Sequence, residues 1–474
     1  MSAIEMKLFH SGAFHEGVGR RSVLRPFDGS EVGSVHLAGP EQIEAALASA
    51  AAAAPALRET PAHQRAAWLD GIRQGIAARR ERFVELIVAE GGKPRRFAEG
   101  EVARCLTTFS FAAEEARRIG GEVLPFDAVP TGEGRLGIVR RFPVGPVTAI
   151  TPFNFPLNLV AHKLAPALAA GCPVLLKPAD ETPLCAGLLA EIYAEVGVLP
   201  GALAVLPCEV KDAAPLTADE RVRLLSFTGS ATVGWMLKGL AGKKPALLEL
   251  GGNAAVIVHE DADLEQAVER CAFGAFAHAG QVCISVQRIY VHAAVHDRFL
   301  EALVERTKAL KCGDPSDPEV VVGPLRADRD ADRILEWVRD AEAAGAVRHC
   351  GGEREGRVIT PMVFTGVDPS ARLSCEEVFG PVVVVHRYED WEEALARVDD
   401  SPFGLQAGVF TRDVGRVMEA HRKLEVGAVI HDDVPTYRID PMPYGGVKGS
   451  GLGREGLRYA IEAMTEPRLL VLRG

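Results

Sequence analysis

Along the chain the spacing of apolar and polar residues changes three times, and each change predicts a different kind of structure. Over residues 1–35 short apolar runs alternate with polar residues and turn pairs such as Asp28-Gly29, which predicts a β-rich entry region. Helical spacing follows. Pro40 suits a first helical position, and 41–54 reads as an alanine-rich helix with Ile43 and Leu47 on one face and Pro55 as its stop. Thr60-Pro61 opens another helix with Trp68, Leu69 and Ile72 on one stripe; the pattern continues over 83–89 and the helical block to about Ile119. Over 122–142 the period becomes two, with Leu136, Ile138 and Phe142 alternating with polar residues among Gly132, Gly134 and Gly137, which predicts a hairpin.

From Pro146 onward strands and helices alternate. Strands are expected at 147–150, 173–177, 204–206 and 224–227, with helices at 157–169, 182–196 and 230–239. Such a βαβ rhythm predicts an α/β chain with a parallel sheet covered on both faces, whose strand carboxyl ends would seat a dinucleotide. A second rhythm begins after Gly251, with helices at 264–277 and 295–310 and strands at 288–291, near Val321 and at 382–385. Gly251 therefore reads as a boundary between a cofactor domain and a second α/β domain. The apolar run 468–472, two residues from the C-terminus, needs a sheet to join.

Composition narrows the class. With 474 residues, 47% hydrophobic and 25% charged, the chain can build two or three domains with large cores. The net charge of −11 leaves no basic excess for phosphate neutralisation, so no nucleic-acid partner is expected. No apolar run is long enough for a membrane helix, and residues 1–10 do not read as a signal peptide. Nine cysteines without a C-x-x-C pair predict neither a disulfide framework nor a zinc site, and point to the cytoplasm.

The chemistry centres on Pro245 to Ser285. An apolar run holds Glu249, turns through Gly251-Gly252-Asn253, and is followed by Gly280-Gln281-Val282-Cys283. A carboxylate inside an apolar strand is rarely buried without a partner or a task, and a cysteine in a glycine-led turn is exposed to reactants more readily than one in a helix. The glycine pair lets other groups approach the backbone closely. One G-x-G-x-x-G match, Gly451 to Gly456, has no apolar strand before it and is discounted as a dinucleotide fingerprint. Phe227-Thr228-Gly229-Ser230, a strand end entering a helix, is the better phosphate site, because the first helical amides are unpaired and the dipole favours an anion.

Seven words in order resemble the aldehyde dehydrogenase superfamily: Thr151-Pro152-Phe153-Asn154-Phe155-Pro156, Leu175-Leu176-Lys177-Pro178-Ala179, Phe227-Thr228-Gly229-Ser230, the Glu249 and Cys283 words 34 residues apart, Glu376-Glu377-Val378-Phe379-Gly380-Pro381, and Pro443-Tyr444-Gly445-Gly446-Val447-Lys448. The resemblance implies a Rossmann-type cofactor domain (1–124 and 143–250), a catalytic domain (251–440) and a small β oligomerisation element (125–142 and 461–474), assembled as a homodimer or homotetramer. It implies oxidation of a small aldehyde by NAD, with NADP possible and no metal. Cys283 would be the nucleophile, Asn154 an oxyanion donor, Glu249 the general base for thioester hydrolysis, and Lys177 would belong to both the catalytic and the cofactor set. Thr151, Phe153, Asp180, Thr228, Gly229, Ser230, Leu250, Glu377 and Phe379 complete the cofactor contacts, and Asp180 would repel a 2′-phosphate. Glu249 favours hydrolysis over transfer to coenzyme A. The alternatives are that acylating reaction, a silent scaffold, and a Cys-His hydrolase using His278. His162 reads as a packing residue. Arg104, Arg288 and Arg438 are expected to read an anionic or hydroxylated tail, and the word around Arg438 resembles lactaldehyde and phosphonoacetaldehyde dehydrogenase-like members. Val282 and Phe155 stand where phosphate- and phosphonate-reading relatives carry arginine and histidine, and Cys208-Glu209 where relatives commonly carry glycine.

Overall fold

A computed structural model describes residues 4–474. The first βα rhythm forms an eight-stranded sheet. Its five central strands, in the order Ala246–Glu249, Leu224–Thr228, Val147–Ile150, Val174–Lys177 and Leu203–Val205, run parallel. Antiparallel strands close both edges: Gly451–Leu452 on one side, Leu8–His10 and Ala13–His15 on the other. The second rhythm forms a seven-stranded sheet ordered Val347–Cys350, Met362–Thr365, Val382–Tyr388, Val286–His292, Ala254–Val258, Gln406–Phe410 and Ala428–His431, parallel except for its first pair. The chain leaves the first sheet at Glu249 and enters the second at Ala254. The turn at Gly251 thus joins the carboxyl ends of one parallel sheet to the amino ends of the other, and the site forms there.

The predicted hairpin appears as Gly121–Leu124 and Arg135–Pro143, and the terminal run, as Thr465–Arg473, pairs with the latter over nine residues. Among the described residues no strand pairs with its other edge, and Leu469, Leu470, Val471 and Leu472 are all exposed. An N-terminal sheet of Ile4–Met6, Glu31–Leu37 and Gly19–Leu24 packs beside the eight-stranded one.

Two expectations are corrected. The first helix does not stop at Pro55 but runs Pro40–Glu59 through it. Leu57, beyond the proline, is fully buried with Ala53 and Ala202. Burying that leucine is worth about 1.5–3 kcal/mol, comparable with the ~3 kcal/mol cost of an interior proline. Near Val321 there is no strand, only a single bridge between Cys312 and Val322; Pro315, Pro318 and Pro324 deny that segment a ladder. The discounted glycine motif lies in the edge strand and loop after Lys448, with Gly453 and Gly456 at positive φ.

Candidate active site

The two glycines in the turn are where the sheets' chemistry meets. A side chain at Gly251 would lie 2.3 Å from Glu377 Oε2, and one at Gly252 would lie 2.5 Å from the Cys283 carbonyl oxygen. Glycine here lets a carboxylate and the nucleophile's backbone close on the turn from opposite sides. The Gly252 N–H donates to Glu377 Oε1 at 3.0 Å, and the Asn253 amide donates to the carbonyls of Ser374 and Glu376, fixing the loop that carries Glu377.

The cysteine loop is held from its other end. His278 and Ala279 adopt left-handed backbone, and Gly280 continues it at φ 69°. Two consecutive non-glycine residues in that region are strained by about 1–2 kcal/mol each. The turn is anchored by Gln281, whose side chain donates to the carbonyls of His278 and Pro324 and accepts from the Arg326 N–H. Asn154 donates from Nδ2 to the Gln281 carbonyl at 2.9 Å, which places its amide beside the loop. Cys283 itself is part-buried, with Sγ 3.1 Å from the Tyr444 hydroxyl. Burial pushes its thiol up to about 11, the Tyr444 hydrogen bond and Arg438 work against that, and Glu377 and Glu249 add to it.

Glu249 is fully enclosed and neither of its oxygens has a hydrogen-bond partner. Burial, reinforced by the nearby Glu455, holds its carboxyl well above the usual range against Arg438, Lys163 and Arg454. Behind it lies a network that the sequence motifs did not reveal. Lys163 Nζ donates to Glu455 Oε1 at 3.0 Å and to Ser226 Oγ at 3.1 Å; Arg438 Nη2 sits 3.2 Å from Glu455 Oε2. Burial opposes ionisation of Glu455, but Lys163 and Arg438 outweigh it and keep its carboxyl below the usual range. Arg438 lies over the Tyr444 ring at 3.6 Å, and Asp440 pairs with His162 at 3.0 Å and with Arg104 at 3.5 Å. Burial holds the His162 imidazole down to about 4, so at neutral pH it meets Asp440 as an uncharged ring packed into this network. Lys163, on the helix Asn158–Ala170, lies nine positions after Asn154, and Glu455 sits in the discarded glycine motif. The only sequence signal for Lys163 was a charge among apolar neighbours, and Glu455, between Arg454 and Gly456, lacked even that.

In front of the thiol opens a cleft of about 380 Å³ lined by Thr151, Phe153, Asn154, Thr228, Gly229, Ser230, Leu250, Cys283, Glu377 and Phe379, all predicted site residues, with Arg326 and Arg333 besides. It fits a dinucleotide on its own features. Ser230 begins the helix Ala231–Ala241 without a side-chain cap, so the first amides stay unpaired. The Thr228 hydroxyl is buried without a partner, and a side chain at Gly229 would collide with the Phe227 ring at 2.5 Å. Phe379, at φ 49°, faces Phe153 edge-on at 6.1 Å. Burial lifts Glu377 to about 7, opposed by the Gly252 N–H and Arg333.

Lys177 and Asp180 pair with each other at 2.9 Å and do not line this cleft. Arg288 departs from expectation. Its two terminal nitrogens donate to the Tyr290 hydroxyl and to the carbonyls of Arg397, Asn253 and Val398; its Nε is buried without a partner, and the residue does not line the cleft. It ties the seven-stranded sheet to the Asn253 turn and to the Arg397 and Val398 carbonyls instead. His278 is buried with neither ring nitrogen hydrogen-bonded, and burial beside Lys93 holds the imidazole far below its usual range, so it does not serve Cys283 as a base.

Residues 15–470 match the model of the aldehyde dehydrogenase family. The chain is 42% identical over 467 residues to the 3-sulfolactaldehyde dehydrogenase of Priestia aryabhattai, covering 98% of this chain and 97% of that one. Aldehyde dehydrogenase 21 from Physcomitrella patens, solved with the reaction product succinate, superposes with a TM-score of 0.98 at 41% identity over 100% of this chain and 99% of its own. An NADP-dependent enzyme of E. coli superposes with a TM-score of 0.95 at 35% identity, over 99% and 98% of the two chains. These matches establish an oxidoreductase that acts on an aldehyde with NAD or NADP. From the seven motifs, the two joined sheets and these likenesses together, the chain belongs to the aldehyde dehydrogenase family.

Proposed function

We propose that this chain oxidises a small aldehyde with an anionic tail to its carboxylic acid, with Cys283 as nucleophile and Glu249 as the base that admits water. The observation that carries the reading is the pairing, across the Gly251-Gly252 turn, of a cleft-facing thiol with an enclosed carboxyl that has no partner of its own. Cys283 attacks the carbonyl carbon as thiolate. The oxyanion is received by the Asn154 amide and by the Cys283 N–H, which no group among the described residues accepts. Glu377 would hold the ribose of NAD(P) and Phe379 would stand by its nicotinamide, and the cofactor when bound would supply the hydride acceptor. A thioester remains on Cys283. Glu249 takes a proton from water as the water's oxygen adds to that thioester, and the acid leaves as the thiol re-forms. Its raised proton affinity makes its ionised form the stronger base toward water, and the departing Cys283 sulfur takes that proton back, which restores the ionised form.

Two features support an anionic tail. Arg438 lies over Tyr444, whose hydroxyl touches the thiol, and Arg104 remains part-exposed beside Asp440. Of the similar chains quoted above, one is a 3-sulfolactaldehyde dehydrogenase and another holds the product succinate. Lys177 and Asp180 would take the adenosine ribose. The eight-stranded sheet would serve the cofactor and the seven-stranded one the catalysis, while the free edge and exposed leucines of Thr465–Arg473 would pair with a second copy; a Leu470→Asp variant that light scattering finds no smaller than the wild type would refute that pairing.

The test is reduced-nicotinamide formation with neutral, carboxylated and sulfonated short aldehydes, with and without coenzyme A, beside Cys283→Ala. Turnover that needs no coenzyme A, vanishes in C283A, favours the anionic aldehydes and loses that preference in Arg104→Ala and Arg438→Ala is expected. Turnover only with coenzyme A would replace hydrolysis by acylation, and equal use of neutral and anionic aldehydes would remove the tail assignment.

A further inference from the structure

Arg21 stands outside every motif, on the strand Gly19–Leu24 of the N-terminal sheet, yet its guanidinium reaches the carboxyl ends of the strands Val174–Lys177 and Leu203–Val205. Nη1 lies 3.2 Å from Asp180 Oδ2, and Nη2 donates to Glu209 Oε1 at 2.6 Å. Lys177 Nζ donates to the other oxygen of Asp180 at 2.9 Å. The aspartate expected to repel a 2′-phosphate therefore has a cation on each oxygen. Glu209, which stands where relatives commonly have glycine, is Arg21's second anchor and is half exposed, while the Arg21 side chain keeps about a quarter of its surface open.

We propose that Arg21 makes this ribose site accept NADP as well as NAD. Four charges, two of each sign, sit at the strand ends, so the local field is near neutral instead of acidic. A 2′-phosphate entering between Lys177 and Arg21 replaces carboxylate partners with phosphate oxygens, and the planar guanidinium offers it two parallel donors. With NAD, Arg21 stays on Glu209 and Asp180, and Asp180 shares the ribose hydroxyls with Lys177. The inference rests on the reading that Lys177 and Asp180 hold the adenosine ribose.

The test is calorimetric binding of NAD and of NADP to the cofactor-free full-length protein, comparing wild type, Arg21→Gln, Arg21→Lys and Lys177→Met, each checked for an unchanged melting curve. Wild type should bind both. In R21Q the ratio of the NADP to the NAD dissociation constant should rise about tenfold or more, the scale of one lost charge-assisted bond, and R21K should restore part of it. A wild type that does not bind NADP, or an R21Q ratio equal to wild type while K177M weakens both cofactors, overturns the role of Arg21 and leaves the ribose site standing. If K177M binds both cofactors as wild type does, the ribose reading itself falls. If R21Q melts early, the R21K ratio decides: a wild-type-like ratio supports the charge role, and a ratio raised tenfold contradicts it.

Discussion

A methyl group at Gly252 is predicted to disarm the enzyme while leaving its fold and cofactor cleft in place. The added Cβ would lie 2.5 Å from the Cys283 carbonyl oxygen, with the next atom, Leu405 Cβ, at 3.6 Å. Ordinary contact begins at 3.4 Å, so the carbonyl must retreat by 3.4 minus 2.5, about 0.9 Å. Gly252 is not among the residues at positive φ, so its backbone accepts alanine and the collision is with the nucleophile's own peptide. Overpacking of this kind costs about 1–3 kcal/mol. Displacing a reacting atom by about 1 Å costs on the order of 10²-fold in rate. Gly252→Ala should therefore lose about 10²-fold in kcat/KM with NAD affinity nearly retained. Gly251→Ala, whose Cβ meets Glu377 Oε2 at 2.3 Å, should instead weaken NAD binding. Steady-state kinetics, calorimetry and melting curves on the two variants separate these effects. A G252A enzyme within a few fold of wild type, or one whose loss lies wholly in cofactor affinity, would refute the fit between the turn and the nucleophile loop.

Lys163→Met should cost about 3–5 kcal/mol of stability, because it leaves Glu455 buried with only Arg438 to offset it; a K163M/E455Q pair should recover much of that, and melting curves of the single and double variants check it. The Cys283 thiol, raised to about 11, should react with iodoacetamide at a rate that climbs with pH through the alkaline range and does not level off at neutrality, since only the thiolate attacks. Tyr444→Phe removes a hydrogen bond that favours the thiolate, so the proton is held more tightly and the rate at a given pH falls; a faster Y444F would contradict this sign.

The motifs made legible which residues meet at the cleft, Cys283, Asn154 and the Thr228-Gly229-Ser230 turn, because each is a local word whose residues are fixed by backbone geometry: glycines where groups close in, a helix start where amides stay free. Strand and helix positions were legible because the period of apolar residues is itself a record of burial. What the sequence hid is whatever the fold assembles from afar. Lys163 and Glu455 lie 292 positions apart, and nothing near either one signals the other. Arg288 misled by nearness to Cys283 along the chain, although strand geometry turns its two terminal nitrogens toward backbone carbonyls. Pro55 misled because a local stop signal was outweighed by the burial of Leu57 beyond it. Arg21 was invisible because an N-terminal strand brings it to a site whose other residues lie over 150 positions away.

The central claim is that Glu249 admits water to a thioester on Cys283, and rapid mixing of Glu249→Gln with NAD and an oxidisable aldehyde tests it most directly. One equivalent of reduced cofactor per subunit, formed at a near wild-type rate and followed by near arrest, with an intact mass raised by one acyl group that C283A does not gain, is the predicted result. Steady turnover of E249Q at the wild-type rate, or a burst with no acyl mass on the protein, would contradict it.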